Sequence, residues 1–207
     1  MKIILTCVLS IIFIYVSAQR CGSADYSVNH PVNKYALLRA ATVTDNTRDT
    51  LNNEVIIIPV VIHVLYNNND QNISDEQVKS QIISLNNDYR RQNADTVNTP
   101  IPFKSVAADT RIQFCLAKVG QDGKYTTGII HKYTKVSLFN ADDAMKFSAQ
   151  GGDDAWDATK YLNLWVCNLS GRTLGYAVIP GSAAEKERVV LKYRAFGPMG
   201  NVVAPYN

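Results

Sequence analysis

The sequence lacks the short motifs that mark common catalytic and metal-binding sites. It contains no His-Glu-x-x-His, no Cys-x-x-Cys, no Gly-x-Ser-x-Gly and no phosphate-binding glycine loop. Its three histidines, His30, His63 and His131, are widely separated, so none has a partner at metal-ligand spacing. Residue spacing alone therefore assembles no catalytic site.

Charge is also scarce. Only 19% of the residues are charged, the formal net charge is +3, and lysines and arginines form no block or stripe. Nucleic-acid binding requires a basic patch that neutralises phosphates, so we expect no nucleic-acid partner.

One long apolar run is present, at the N-terminus. Lys2 precedes an apolar stretch over residues 3–16, and small residues follow at 16–18. This is the pattern of a secretory signal peptide cleaved after Ala18. The run is short for a membrane span and no second one exists. We therefore expect residues 1–18 to be a signal peptide and the mature chain to be secreted, without a membrane span.

Residues 19–53 are polar and weakly periodic, which indicates a leader ahead of a compact domain at 54–207. Such a leader is either a linker or a propeptide. Removal of the signal peptide takes Cys7 away and leaves Cys21, Cys115 and Cys167. An odd count in a secreted protein suggests a free thiol. Cys115 and Cys167 lie in apolar, strand-like runs and could pair across neighbouring strands; alternatively, all three are isolated thiols.

The hydrophobic centre of the chain is the run at 54–66, which is rich in β-branched residues and flanked by asparagines. Apolar side chains at successive positions predict a strand buried on both faces. Pro59 lacks an N–H, so it should lie at an unpaired edge or a bulge. His63 within this run is interpreted as a core histidine with satisfied hydrogen bonds rather than as a metal ligand.

A helix should follow from Ser74 to about Arg91. Ser74 and Gln77 form a capping box, and Ile73 and Val78 stand at the positions of a hydrophobic staple. Further strands are predicted at 111–117, 128–133, 161–169, 174–180 and 188–193. This order favours an α/β fold with a mixed sheet and packed helices. The adjacent acids Asp142-Asp143 and Asp153-Asp154 are expected to be solvated.

Four segments, 58–66, 112–116, 161–167 and 175–177, together with Gly151-Gly152, carry a family resemblance. In this order they resemble the N-terminal part of a pappalysin-like secreted zinc metallopeptidase, the pregnancy-associated plasma protein A family of the metzincin clan. The resemblance implies a metzincin-like upper subdomain with a twisted mixed sheet and an antiparallel edge strand. It also implies a zinc-dependent metalloendopeptidase that acts on protein or peptide substrates.

In that family the zinc ligands lie on a helix with the pattern His-Glu-x-x-His-x-x-Gly-x-x-His, whose Glu activates the zinc-bound water. This pattern is missing before the last residue, Asn207. The resemblance therefore predicts a chain that is truncated before its zinc helix, has no catalytic residues of its own and is inactive alone.

Two roles carry over from the family onto residues that are present. An edge strand binds substrate by backbone pairing, and residues 174–178 are the candidates: Leu174, Gly175, Tyr176, Ala177 and Val178. Cys21 is the candidate latency switch, since a leader thiolate on zinc would exclude the catalytic water. The alternatives are an ordinary edge strand, an incidental thiol and, for the whole chain, a non-catalytic secreted binding module that uses the same sheet.

Overall fold

The computed structural model describes residues 21–23, 26, 54–178 and 189–204. The signal-peptide segment, most of the leader and the residues from Ile179 to Arg188 lie outside this part. In chain order the main elements are β1 (Ile56–Tyr66), α1 (Asp75–Tyr89), β2 (Ile112–Leu116), β3 (Ile129–Tyr133), β4 (Leu162–Cys167), β5 (Gly175–Ala177) and β6 (Val189–Lys192). Short 3-10 helices lie between several of them, including Ala144–Lys146 and Ser148–Gln150.

The strands form one mixed sheet in the order β2-β1-β4-β6-β5, and β3 also pairs with β1. All ladders are parallel except that between β5 and β6, which is antiparallel. The expected mixed α/β fold is therefore confirmed, and so is the antiparallel edge strand. β1 is central because it pairs with β2, β3 and β4, and its residues from Val60 to Leu65 are almost completely buried.

Pro59 lies where β1 has a partner on one side only. The N–H groups of Ile56 and Ile62 donate towards the β2 and β3 side, so by alternation the Pro59 nitrogen faces the β4 side. The β4 ladder begins only at Val60, which pairs with Leu162. The missing N–H therefore costs no ladder hydrogen bond. This agrees with the prediction that Pro59 lies at an unpaired edge.

The two faces of the sheet bury different kinds of side chain. We call one the helix face, because α1 packs Val78 and Ile82 over the strand residues Val60, Ile62, Val64, Leu164 and Val166. We call the other the loop face, because the segment between β3 and β4 covers it. Its buried residues are Leu65, Phe139, Met145, Trp165, Cys167, Leu169, Tyr176 and Val190. Apolar contacts dominate the helix face, whereas the loop face also buries charged and hydrogen-bonding groups.

Helix α1 begins as predicted but differs in one detail. The Ser74 Oγ accepts a hydrogen bond from the Gln77 N–H at 3.2 Å, so Ser74 is the N-cap. The Gln77 side chain does not reach back to Ser74. It is 1% exposed, donates to the Phe196 carbonyl at 2.8 Å and accepts from the Asn201 N–H at 2.9 Å. The capping box is thus half formed, because Gln77 instead fixes the loop after β6.

The expected pairing of Cys115 with Cys167 is wrong. The described cysteines, Cys21, Cys115 and Cys167, are all free thiols. Cys115 lies on β2 and Cys167 on β4, and β1 runs between these two strands. Strands are about 4.8 Å apart, so two steps across the sheet already exceed the roughly 7 Å limit for a disulfide. Complete burial raises the pKa of the Cys167 thiol, which makes it an inert core group.

Among the described residues, no helix combines the length and the apolar character that a membrane crossing requires.

Candidate functional site

The outer edge of β5 is in contact with the leader. The Gly22 N–H donates to the Gly175 carbonyl at 2.8 Å, and the Ala177 N–H donates to the Ser23 Oγ at 2.9 Å. β5 ends the described sheet, and antiparallel pairing with β6 leaves its other edge available. The leader thus uses backbone groups that an edge strand offers to an incoming peptide.

Two glycines permit close packing around β5. A Cβ atom on Gly22 would lie 2.8 Å from the Thr173 Cγ2, so Gly22 permits the close approach of the leader to this edge. A Cβ atom on Gly175 would lie 2.7 Å from the Val190 carbonyl oxygen, so Gly175 permits the close pairing of β5 with β6.

Cys21 is exposed at this edge. Its Sγ lies 3.1 Å from the Ser23 Oγ. The thiol lines a cavity of about 320 Å³, bounded by the leader, β5, β6 and the turn that follows. The lining includes Leu174, Val189, Leu191 and Ala195, so this cavity is mainly apolar. An exposed thiol in this position is accessible to a group that approaches from outside β5.

The five residues predicted to bind substrate all lie at the sheet edge. Gly175, Tyr176 and Ala177 form β5, and Leu174 and Val178 flank it. Gly175 and Tyr176 are buried, and Leu174 and Ala177 are partly exposed. The leader contacts the Gly175 carbonyl and the Ala177 N–H, so the predicted edge and the leader cysteine are brought together.

Behind β5, Tyr26 of the leader enters the loop face. It is 4% exposed, and its ring stacks on that of Tyr176 with centroids 5.0 Å apart and planes at 19°. Its hydroxyl donates to one carboxylate oxygen of Asp143, and the Tyr176 hydroxyl donates to the other at 3.1 Å. The Lys146 Nζ lies 2.7 Å from the same carboxylate. We call Asp143, Lys146 and Tyr176 the Tyr26 socket.

The Tyr26 socket is a buried electrostatic cluster. Burial raises the pKa of Asp143, but hydrogen bonds from Lys146 and Tyr26 and the charge of Lys146 outweigh it, so the pKa is lowered. Burial and the Asp143 carboxylate raise the pKa of Tyr26, which therefore stays a neutral donor. The expectation that Asp143 is solvated is wrong, because its carboxylate is buried and is engaged by Tyr26, Tyr176 and Lys146.

A second polar cluster surrounds His63. This residue is completely buried, and its ring stacks on Trp165 at 4.6 Å. Its Nδ1 lies 2.7 Å from the Asp153 Oδ2 and its Nε2 lies 3.0 Å from the Asn163 Oδ1. The interpretation of His63 as a satisfied core histidine is confirmed. Asp153 is a further correction, because it is half-buried and also binds the Lys132 ammonium at 2.8 Å.

These contacts bear on metal binding. Both His63 nitrogens are engaged, and His131 contacts Asn72 at 2.6 Å and Asp75 at 3.0 Å. Within the described ranges, no group of three or more His, Cys, Asp or Glu residues could hold a metal ion. A catalytic zinc needs about three protein ligands around one ion. The described residues therefore do not fit a resident zinc; among them Cys21, the candidate latency switch, is an exposed thiol beside β5.

Sequence reasoning missed the Tyr26 socket and the Asp153 contacts. Asp143 and Lys146 stand three residues apart, which is a contact spacing on a helical turn. That spacing was a signal for their pairing. Nothing in the sequence indicates that Tyr26, more than a hundred residues away, completes the cluster.

The mixed sheet, the antiparallel edge strand and the packed helix match metzincin-like peptidases. Three similar solved structures are of mirolysin. The sequence of mirolysin in a complex with compound 9 is 46% identical to this chain, with a TM-score of 0.71. Tannerella forsythia mature mirolysin in complex with a cleaved peptide is 45% identical to it, with a TM-score of 0.72. A Glu-to-Ala mutant of Tannerella forsythia promirolysin is 38% identical (TM-score 0.75).

The matches cover most of this chain and a smaller part of the solved ones. The complexes with compound 9 and with the cleaved peptide each cover 74% of this chain, and the promirolysin mutant covers 90%. In return, the chain spans 58% to 64% of the solved chains. No protein-family model matches the chain, and the comparison with curated proteins found no match. The similarity therefore supports a metallopeptidase-type protease fold, and the activity of the whole protein is a proposal.

Proposed function

We propose that this chain is the upper part of the catalytic domain of a secreted, zinc-dependent metalloendopeptidase of the pappalysin-like type. Its reaction would be hydrolysis of peptide bonds in a protein or peptide substrate by a metal-activated water. Residues 1–18 would be the signal peptide, 19–53 the propeptide, and 54–207 the N-terminal part of the catalytic domain. The similarity to mirolysin supports the class of enzyme.

The observation that carries this proposal is the contact between the leader and the edge strand. Gly22 and Ser23 occupy backbone groups of Gly175 and Ala177, which a substrate strand would otherwise use. We assign the substrate-binding edge to residues 174–178, namely Leu174, Gly175, Tyr176, Ala177 and Val178. The solved mature mirolysin with a cleaved peptide is consistent with a peptide ligand for this fold.

Cys21 would keep the enzyme latent. It stands one residue before the glycine that pairs with β5, and its thiol is exposed at the open side of that strand. A thiolate binds zinc better than water does, so it would prevent formation of the nucleophile until the leader is removed. Promirolysin covers 90% of this chain and mature mirolysin 74%, which supports a leader of the proenzyme type.

The zinc ligands and the catalytic Glu would come from residues other than those described. Because the described residues do not fit a zinc site, no step of the reaction is assigned to their side chains. Their part is to present β5, to bind the peptide backbone and to exclude the substrate while the leader is in place.

The test compares the chain 19–207 with a longer form that continues through the downstream gene sequence. We expect His-Glu-x-x-His-x-x-Gly-x-x-His in that continuation, one bound zinc per longer chain, and chelator-sensitive casein cleavage once the leader is removed. The chain 19–207 alone should show neither property. Stoichiometric zinc and proteolysis from 19–207 would place the active site elsewhere, and a stop codon at this point would favour the non-catalytic binding module.

Latency is tested in the longer form with two cysteine variants. Cys21→Ala should gain partial activity with the leader in place, because the thiolate then no longer replaces the water on zinc, although Gly22 and Ser23 still contact β5. Cys115→Ala is the matched control and should stay latent, since this thiol lies on β2, which β1, β4 and β6 separate from β5. Equal latency of Cys21→Ala and the parent protein would remove the switch assignment.

A further inference from the structure

The Tyr26 socket has the properties of a side-chain binding site that the proposed zinc chemistry does not use. It offers a flat aromatic surface on Tyr176, a buried carboxylate on Asp143 and a buried ammonium on Lys146. The Lys146 Nζ lies 5.9 Å from the centroid of the Tyr26 ring and 5.3 Å from that of Tyr176. An aromatic ring placed between these groups gains stacking and cation–π attraction together.

The carboxylate makes the socket selective for a phenol. Asp143 is 4% exposed and accepts hydrogen bonds from Tyr26, Tyr176 and Lys146. A phenylalanine would stack equally well but would leave one carboxylate position without its donor. An unsatisfied buried acceptor is costly, and a hydrogen bond to a charged group is stronger than a neutral one. The socket should therefore prefer tyrosine to phenylalanine and exclude aliphatic side chains.

The backbone around Tyr26 sets the spacing of the ligand. The Tyr26 N–H donates to the Gly22 carbonyl at 2.8 Å, so one helical turn joins the two residues. Gly22 pairs with the edge of β5, and Tyr26 lies behind the same strand on the loop face. The leader therefore contacts β5 at two places. Gly22 lies at its outer edge, and Tyr26, four residues later, lies on its loop face.

We propose that the Tyr26 socket is a tyrosine-binding site for a peptide segment. The leader is its occupant in the intact chain, and the socket retains the leader noncovalently after the connection at 27–53 is cut. The same socket takes up a separate peptide with a tyrosine four residues after a glycine. This inference rests on the proposed function only in that residues 19–53 form a removable leader.

Retention of a cut leader is the first test. The chain 19–207 receives one recognition sequence for a site-specific protease between Asp49 and Thr50. After the cut, native mass spectrometry and gel filtration measure the leader that remains bound. We expect the leader to stay bound, Tyr26→Phe to weaken binding roughly ten- to a hundredfold, and Tyr26→Ala to weaken it more than about a hundredfold.

The adjacent residues Asp142 and Asp143 provide a matched pair of variants that tests the socket itself. Asp143→Asn should weaken leader binding, whereas Asp142→Asn should not, because Asp142 is exposed and its carboxylate accepts from the Ala144 N–H instead. Immediate release of the wild-type leader, or equal retention of Tyr26→Ala and wild type, would overturn the proposal. If the alanine variant fails to fold, Tyr26→Phe still decides between the two outcomes.

A small-molecule rescue tests selectivity in the uncut chain. Tyr26→Ala vacates the socket, so p-cresol should raise the thermal midpoint of this variant and leave that of wild type unchanged. Toluene has the same ring without the hydroxyl and should raise the midpoint less. Equal effects of p-cresol and toluene would remove the phenol selectivity. None of these readouts involves zinc or peptidase activity, so this inference and the proposed function fail separately.

Discussion

The helix face and the loop face of the sheet are built from the same strands but are stabilised differently. On the helix face, Ile62 and Val64 meet Val78 and Ile82 of α1 in an apolar cluster. On the loop face, the strand residue His63 contacts Asp153. The strand residue Tyr176 contacts Asp143, which also pairs with Lys146. Apolar burial is non-directional, whereas the loop face requires every buried polar group to meet its partner. The loop face is therefore also where a separate segment, the leader, can be recognised specifically.

Low pH should produce the largest difference in stability between the loop face and the helix face, because it protonates both buried carboxylates of the loop face. The pKa values of Asp143 and Asp153 are lowered in spite of burial, through Lys146 and Tyr26 for the first and His63 and Lys132 for the second. A lowered folded-state pKa contributes stability above the unfolded pKa of about 3.9 that is lost as pH falls. We expect the free energy of unfolding to fall below about pH 4.

Urea unfolding at several pH values measures this loss, and salt is the control. The exposed Asp109 also has a lowered pKa, through a hydrogen bond from the Arg111 N–H and the neighbouring Arg90 guanidinium, but salt screens the contribution of the Arg90 charge. The loss from the buried pairs should persist at about 1 M salt. If the acid sensitivity disappears in high salt, the loop-face clusters contribute little.

Breaking the Tyr26 socket from within should have the next largest effect. Asp143→Ala leaves the Lys146 ammonium buried without its carboxylate, and removing one partner of a buried pair costs about 3–5 kcal/mol. Denaturant midpoints measure this cost. The neighbouring Asp142→Ala serves as control because Asp142 is exposed, and its effect should be well under half as large. Equal effects of the two variants would mean that the pair adds no stability.

The helix face should respond to lost volume rather than to lost partners. Ile62→Ala removes a completely buried side chain and should cost about 2–5 kcal/mol, with no dependence on pH between 4 and 7 beyond that of wild type. Ile57→Ala, 61% exposed on the same strand, is the control and should change the midpoint little. A pH-dependent Ile62→Ala effect would contradict the distinction between the faces.

Gln77 is a buried polar residue on the helix side, and its replacement should give the smallest effect. Gln77→Ala removes the hydrogen bonds to Phe196 and Asn201 and should cost about 1–3 kcal/mol. The loop at 196–201 should then exchange its amide hydrogens faster, which hydrogen exchange measures. Lys79→Ala, exposed on the same helix, should leave the exchange of that loop unchanged. Unchanged protection in Gln77→Ala would show that the loop is held by other contacts.

The sequence predicted the elements of the fold well and the polar contacts poorly. The apolar run of β1, the Ser74 cap and the strands from Ile112 to Lys192 follow from periodicity and propensity, which are local properties. The half-formed capping box shows the limit of such reasoning. Gln77 satisfies the box pattern, but its side chain is directed to a loop that arrives more than a hundred residues later.

Local sequence patterns also could not predict which residues of different strands meet across the sheet. Cys115 and Cys167 both occupy strands, as predicted, but the strand order places β1 between them. In the same way, Asp143 and Asp153 have the sequence neighbours of surface acids. Their burial depends on Tyr26, Tyr176, His63 and Lys132, which belong to other segments.

The sequence by itself determined which segments become strands and helix, because hydrophobic periodicity and capping act over a few residues. It also marked Cys21 and the 174–178 edge as candidates through a family resemblance. Only the tertiary structure decided that the leader meets that edge, that Tyr26 enters a charged socket behind it, and that the cysteines stay apart. These outcomes depend on contacts between residues distant in sequence, which form only when the strand order and the positions of the covering loops are fixed.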